Sequence, residues 1–205
     1  KVLAVTHPNF PNQYAKVVQS EVKKETADGV MFDWWHSNQE RNSGYKLDEL
    51  DKARHDIIKA VREKIGPNKI IMGNVNHYKD KATIQYLNGA FFELYKKSKY
   101  KHTKELYSEA EYFMIESLLE YYQKNLKYPK LIALEGWRKG NSDKHKNGFN
   151  LRIAKILTAM SVVIPENGYI TFSDNHKKDA DTTHSFYDFY NFDIGKPVDR
   201  GQKLK

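Results

Sequence analysis

The chain contains no cysteine. That excludes disulfides, thiolate metal sites and a cysteine nucleophile, and it leaves the redox compartment open. No apolar run is long enough to cross a bilayer. No glycine-rich phosphate turn is present, and no serine sits in a nucleophile-elbow pattern. No His-Glu-x-x-His pattern occurs, and His7, His36 and His77 are irregularly spaced. They read as hydrogen-bonding histidines rather than a metal set, so neither a metal nor a cofactor is expected. The chain opens Lys1-Val2-Leu3-Ala4-Val5 without an initiator Met or a signal peptide. It starts as if already inside a strand, and the expectation is that the N-terminal part of a larger fold precedes it. A secreted or periplasmic location is expected if the full-length protein carries a signal peptide.

What is present suffices for one domain with a real core: 205 residues, 40% hydrophobic and 13% aromatic. The 34 basic residues outnumber the 26 acidic ones, for a net charge of +8. Charge of this sign raises the question of nucleic acid. The lysines, however, are scattered over predicted helix faces and loops, as at Lys23-Lys24, Lys96-Lys97 and Lys177-Lys178. They form no compact stripe with exposed aromatics. The reading is a solvated lysine-rich surface and no nucleic-acid partner, with a polyanion-binding module as an alternative.

Apolar runs and helical periodicities alternate along the chain. Short runs start near residues 2, 30, 69, 90, 131 and 169 and predict six strands. Between them, three-to-four spacing predicts helices over about 12–26, 47–65, 105–126 and 150–163, with a shorter helical piece near 82–87. Asn12 and Asn150 are read as helix caps. Gly66-Pro67 stops the second helix. Near-continuous apolar strands alternating with helices predict a parallel sheet covered by helices. A (β/α)₈ barrel takes eight strands and about 250 residues. The expectation is therefore one partial barrel domain over residues 1–205, lacking its first two units. An open doubly wound sheet is the rival, and the missing glycine-rich turn counts against it.

Polar and aromatic residues gather where the predicted strands end. They are His7; Asp33, Trp34, Trp35 and His36; Asn74, Asn76 and His77; Glu93 and Tyr95; Glu135 and Trp137; and Asp174. Asp33 and Glu93 each close an aromatic-rich strand. Glycoside hydrolysis needs such a pair of carboxylates. Flat aromatic faces stack on sugar rings, and asparagines give directional hydrogen bonds to hydroxyls. In a barrel with one strand between them, the two backbones stand on the order of 10 Å apart. Inward-leaning side chains then reach either the retaining or the inverting range. Each residue also has a plainer reading. A strand-end Asp can cap its own loop, Glu135 can pair with Arg138, and the tyrosines of Tyr112 to Tyr122 are expected to pack in the core.

Several stretches resemble one family in the same order along the chain. They are Asp28-Gly29-Val30-Met31-Phe32-Asp33-Trp34-Trp35-His36, Asn88-Gly89-Ala90-Phe91-Phe92-Glu93, the Glu135-Gly136-Trp137 strand end, Asn167-Gly168-Tyr169-Ile170-Thr171-Phe172, and Phe192-Asp193-Ile194-Gly195-Lys196-Pro197. They resemble glycoside-hydrolase-like families of TIM-barrel fold, distantly similar to the endo-α-1,4-polygalactosaminidases. The resemblance implies a hydrolase acting on a carbohydrate substrate. It implies Asp33 as nucleophile or base and Glu93 as acid, with the roles exchangeable. A non-catalytic carbohydrate-binding remnant is the alternative.

Overall fold

The structure is a computed structural model that describes residues 4–37, 43–94, 107–137, 148–166, 168–175 and 186–195. Among the described residues the chain forms an α/β fold of five parallel strands and four helices. The strands are β1 (Gly29–Phe32), β2 (Ile70–Asn74), β3 (Gly89–Glu93), β4 (Leu131–Trp137) and β5 (Tyr169–Asn175). The helices are α1 (Phe10–Lys24), α2 (Leu47–Ile65), α3 (Glu109–Asn125) and α4 (Gly148–Val163). The sheet order is β1-β2-β3-β4-β5, the same as the order in sequence. A doubly wound sheet reverses direction partway; this one does not. Right-handed crossovers between strands in sequential order place the connecting helices on one face.

The predicted first strand is absent from the described part of its range. Ala4 to Thr6 are turn and coil, and His7 N–H donates back to Ala4 O at 2.9 Å. A β-branched run closed by such a turn does not extend into a ladder. Residues 1–3 lie outside the described residues, so the sheet counts five strands where six were expected.

α2 begins and ends where the periodicity placed it. Glu49 reaches back to accept from Lys46 N–H at 2.9 Å, and Gly66 closes the helix at φ 86°. α1 starts earlier than predicted, at Phe10, with Pro11 in its first turn and Asn9 rather than Asn12 at the cap position. Proline suits a first turn because its missing N–H has no helical partner there. α4 likewise begins at Gly148, and Asn150 is buried inside it. α3 starts at a capping box: Ser108 Oγ accepts from Glu111 N–H at 3.3 Å, and Ser108 N–H donates to Glu111 at 2.7 Å.

The sheet has two unlike faces, because side chains alternate along each strand. One set packs under the helices: Phe32, Ile71, Ala90, Phe92, Ile132, Leu134 and Ile170, all buried with Ile58, Val61, Leu119 and Leu157 of the helices. Each large side chain buried in this way contributes roughly 1.5–3 kcal/mol. The other set is more open, with Met31 47% and Tyr169 63% exposed. At the N-terminal edge of the sheet, Arg62 of α2 ties the elements together. It donates to Gly66 O at 3.1 Å, Tyr86 O at 2.8 Å and the Asn88 side chain, while Asn88 Oδ1 also accepts from Ile71 N–H at 3.1 Å. No helix among the described residues is long and apolar enough to cross a membrane.

Candidate active site

The open face carries a line of polar groups at the C-terminal ends of the strands. Register aligns Met31 with Met72 and Asn74 with Phe91, so Asp33, Asn74 and Glu93 leave the same face. Glu93 is the cross-strand partner of Glu135, which puts Glu135 beside it. β2 lies between the strands that end in Asp33 and Glu93.

Asn74 fills that interval. Its Nδ2 donates to Asp33 Oδ1 at 2.8 Å and to Glu93 Oε2 at 3.2 Å. Its Oδ1 accepts from Asn76 N–H at 3.2 Å, which fixes which way the amide points. The side chain is buried, with 3% exposure. One amide nitrogen therefore holds both carboxylates at once.

Asp33 Oδ1 also accepts from Trp34 N–H at 2.9 Å. That bond accompanies an unusual backbone: Trp34 sits at φ 52°, in the left-handed region, with its indole 62% exposed. A bulky aromatic residue there costs about 1–3 kcal/mol, and such outliers gather at functional sites. The indole stacks on His36 with ring centroids 6.4 Å apart, and His36 stacks on Tyr78 at 4.7 Å. Tyr78 in turn lies 4.3 Å from the His77 ring. The result is a row of four aromatic rings beside Asp33, ending in an exposed tryptophan. Asn76, also at positive φ, begins the turn that brings His77 and Tyr78 there.

Other predicted residues go elsewhere. Trp35 is buried rather than facing solvent: its ring packs on Phe32 at 4.7 Å, and its Nε1–H donates to Thr83 Oγ1 at 2.8 Å. A Cβ at Gly73 would stand 2.8 Å from Trp35 Cδ1, so glycine is required where this ring crosses β2. Asp174 pairs in register with Gly136, on the helix side of the sheet, and accepts from Tyr187 O–H at 2.8 Å. It lines a small crevice with Asn150 and Phe172, away from the Asp33–Asn74–Glu93 line. His7 stays in the exposed turn ahead of α1, accepting from Asn9 N–H at 3.2 Å. Tyr95 and Arg138 lie outside the described residues, as does the side chain of Trp137. Among the described residues no group of His, Asp and Glu is arranged to hold a metal ion.

Sequence reasoning missed a buried ionic network behind the site. Arg54 of α2 pairs with Asp80 at 2.9 Å and Asp51 at 2.8 Å, and its guanidinium lies 5.1 Å from the centre of the Trp35 ring. Asp80 accepts from Thr83 N–H at 3.2 Å and from the Thr83 hydroxyl. Asp80 N–H donates to Tyr122 Oη at 2.9 Å, and Tyr122 O–H donates to Tyr78 O at 2.8 Å. The network thus fixes both the Trp35 turn and the segment carrying His77 and Tyr78. A signal was available: Arg54 stands four residues from Leu50 and from Ile58, on the apolar stripe of α2.

His36 is buried within this assembly. Burial first, then the nearby Arg54 guanidinium and His77, push its pKa down from 6.5 to about 4. Asp33 and Asp80 pull the other way and do not offset this. The unfolded imidazole takes its proton near 6.5, whereas the folded one waits until about 4. His36 therefore leaves stability whole above the unfolded value and erodes it as pH falls between those limits, by up to about 3 kcal/mol. Urea midpoints measured between pH 7 and pH 4 should fall in the parent, and the fall should be smaller in His36→Phe. Equal slopes in the two proteins would remove His36 as the cause.

Residues 1–203 match hypothetical glycosyl hydrolase family 15, and the chain belongs to that family. No curated protein matches it. Among solved structures, the chitinase domain of the spore coat protein CotE from Clostridium difficile is similar at 15% identity and a TM-score of 0.47. That alignment covers 64% of this chain and 43% of the chitinase domain chain.

Proposed function

We propose that the chain is a glycoside hydrolase domain of (β/α)-barrel type, a single domain over its whole length, that cleaves glycosidic bonds of an oligo- or polysaccharide. The observation that carries this reading is the Asn74 amide holding the carboxylates of Asp33 and Glu93 together at the C-terminal ends of their strands. Barrel enzymes build their sites at that end. Sequential parallel order with an open inner face is the arrangement a barrel segment has. Membership in the family points the same way.

The roles follow from the surroundings. Both donors to Asp33 Oδ1 are amide N–H groups, which only donate, so this oxygen is set as an acceptor and suits a nucleophile or base. Glu93 receives a single, longer bond and suits the acid that protonates the leaving oxygen. The exposed Trp34 ring gives a sugar a flat apolar face next to Asp33. Asn76, His77 and Glu135 stand close by to bind hydroxyls. The substrate enters as a neutral or charged glycan, with no nucleic acid involved.

A screen of polysaccharides for reducing-end release tests the reading, with Glu93→Gln as the comparison. The parent should hydrolyse at least one polymer. The variant should lose about 10²–10⁴-fold on that polymer and recover on aryl glycosides whose leaving group needs no proton. A parent that binds glycans and hydrolyses none would leave a binding module instead.

A further inference from the structure

We infer that hydrolysis at this site retains anomeric configuration, through a glycosyl ester on Asp33. The inference rests on the reading of Asp33 and Glu93 as the working pair and goes beyond it to the stereochemical course. Inverting enzymes hold their carboxyl groups about 6.5–9.5 Å apart, to leave room for a water on the face opposite the leaving group; retaining enzymes hold them about 5–5.5 Å apart.

Asn74 sets the separation here. One nitrogen donates to Asp33 Oδ1 at 2.8 Å and to Glu93 Oε2 at 3.2 Å. Even laid in a straight line, those two bonds hold Asp33 Oδ1 and Glu93 Oε2 within about 6 Å of each other. The two N–H bonds of a planar amide diverge by roughly 120°, which puts the two oxygens on the order of 5 Å apart. The strut is itself held. Asn74 is 3% exposed, its Oδ1 is engaged by Asn76 N–H at 3.2 Å, and its carbonyl accepts from Trp35 N–H at 2.7 Å. Turning the amide to release either carboxylate would break the bond to Asn76.

The chemistry is then a double displacement. An Asp33 oxygen bonds to the anomeric carbon as the glycosidic C–O bond breaks, and the departing oxygen takes the Glu93 proton. Water then adds to the anomeric carbon and gives a proton to Glu93, and the ester bond to Asp33 breaks. Two inversions at one carbon leave its configuration unchanged, and both carboxyl groups return to their starting states.

The test uses the full chain and two readouts. On a polysaccharide that the parent hydrolyses, proton NMR should show the first-formed anomer matching the substrate. A set of 2-deoxy-2-fluoro glycosyl fluorides of gluco, galacto and manno configuration should label the parent once per chain. Peptide mass spectrometry should place the label on Asp33, and Asp33→Asn should take none. A first-formed anomer of opposite configuration overturns retention and leaves the hydrolase reading standing. Retention with the label on another residue overturns the Asp33 ester. Absence of turnover on every polymer overturns the hydrolase reading and this inference with it.

Discussion

Asp33→Asn should lower polysaccharide hydrolysis by about 10⁴-fold or more, the scale seen when a member of a catalytic set is removed from enzymes of other classes. The substitution is nearly isosteric. It preserves an oxygen able to accept from Trp34 N–H and Asn74 Nδ2, the two bonds Asp33 Oδ1 receives. The backbone turn and the exposed indole should therefore stay in place, and glycan binding should survive while turnover is lost. Reducing-end release gives the rate, and a binding isotherm on the same polymer gives the affinity. Thermal melting confirms that the fold is intact. A folded Asp33→Asn protein as active as the parent would remove Asp33 from the chemistry.

The second large effect is on stability. Asp80→Ala should destabilise the chain by about 2–4 kcal/mol, because it leaves the buried Arg54 guanidinium with only the partly exposed Asp51 and takes the acceptor away from Thr83. For a chain of this size that corresponds to a fall of on the order of 10 °C in Tm. Asp80 is 1% exposed and Arg54 8%, so water does little to replace the lost partner. Replacing the pair together, Arg54→Met with Asp80→Leu, should cost less than Asp80→Ala alone, since the charge left over, on Asp51, is partly exposed and solvated. Urea unfolding of the three proteins gives the comparison. If Asp80→Ala unfolds at the parent's midpoint, the pair does not support the fold.

What the sequence made legible was set by how local each signal is. α2 was readable at both ends because its stripe is regular and Gly66-Pro67 ends it within the chain itself. The five strands were readable because each is a dense apolar run. α3 is less legible: its apolar Phe113 and Met114 are 61% and 40% exposed, while Ile115 and Leu119 are buried. Aromatic residues lie all around that helix, so apolar character alone does not choose a face. Trp35 and Asp174 stand near strand ends as Asp33 does, yet each takes the other side of the sheet. Side chains alternate, and the face each one takes is settled by register with the next strand, a non-local fact. Asn74 as the link between Asp33 and Glu93 was out of reach for the same reason. It takes three paired strands to see that one amide spans two carboxylates.

That link has an evolutionary side. Asp33 Oδ1 is gripped by Trp34 N–H and by Asn74, and Asn74 also grips Glu93. Four positions at the ends of three strands thus share one chain of bonds, so none can drift without changing the fitness of the others. Substitutions among Asp33, Trp34, Asn74 and Glu93 should be strongly epistatic, and a lineage that loses one should find the rest released to vary.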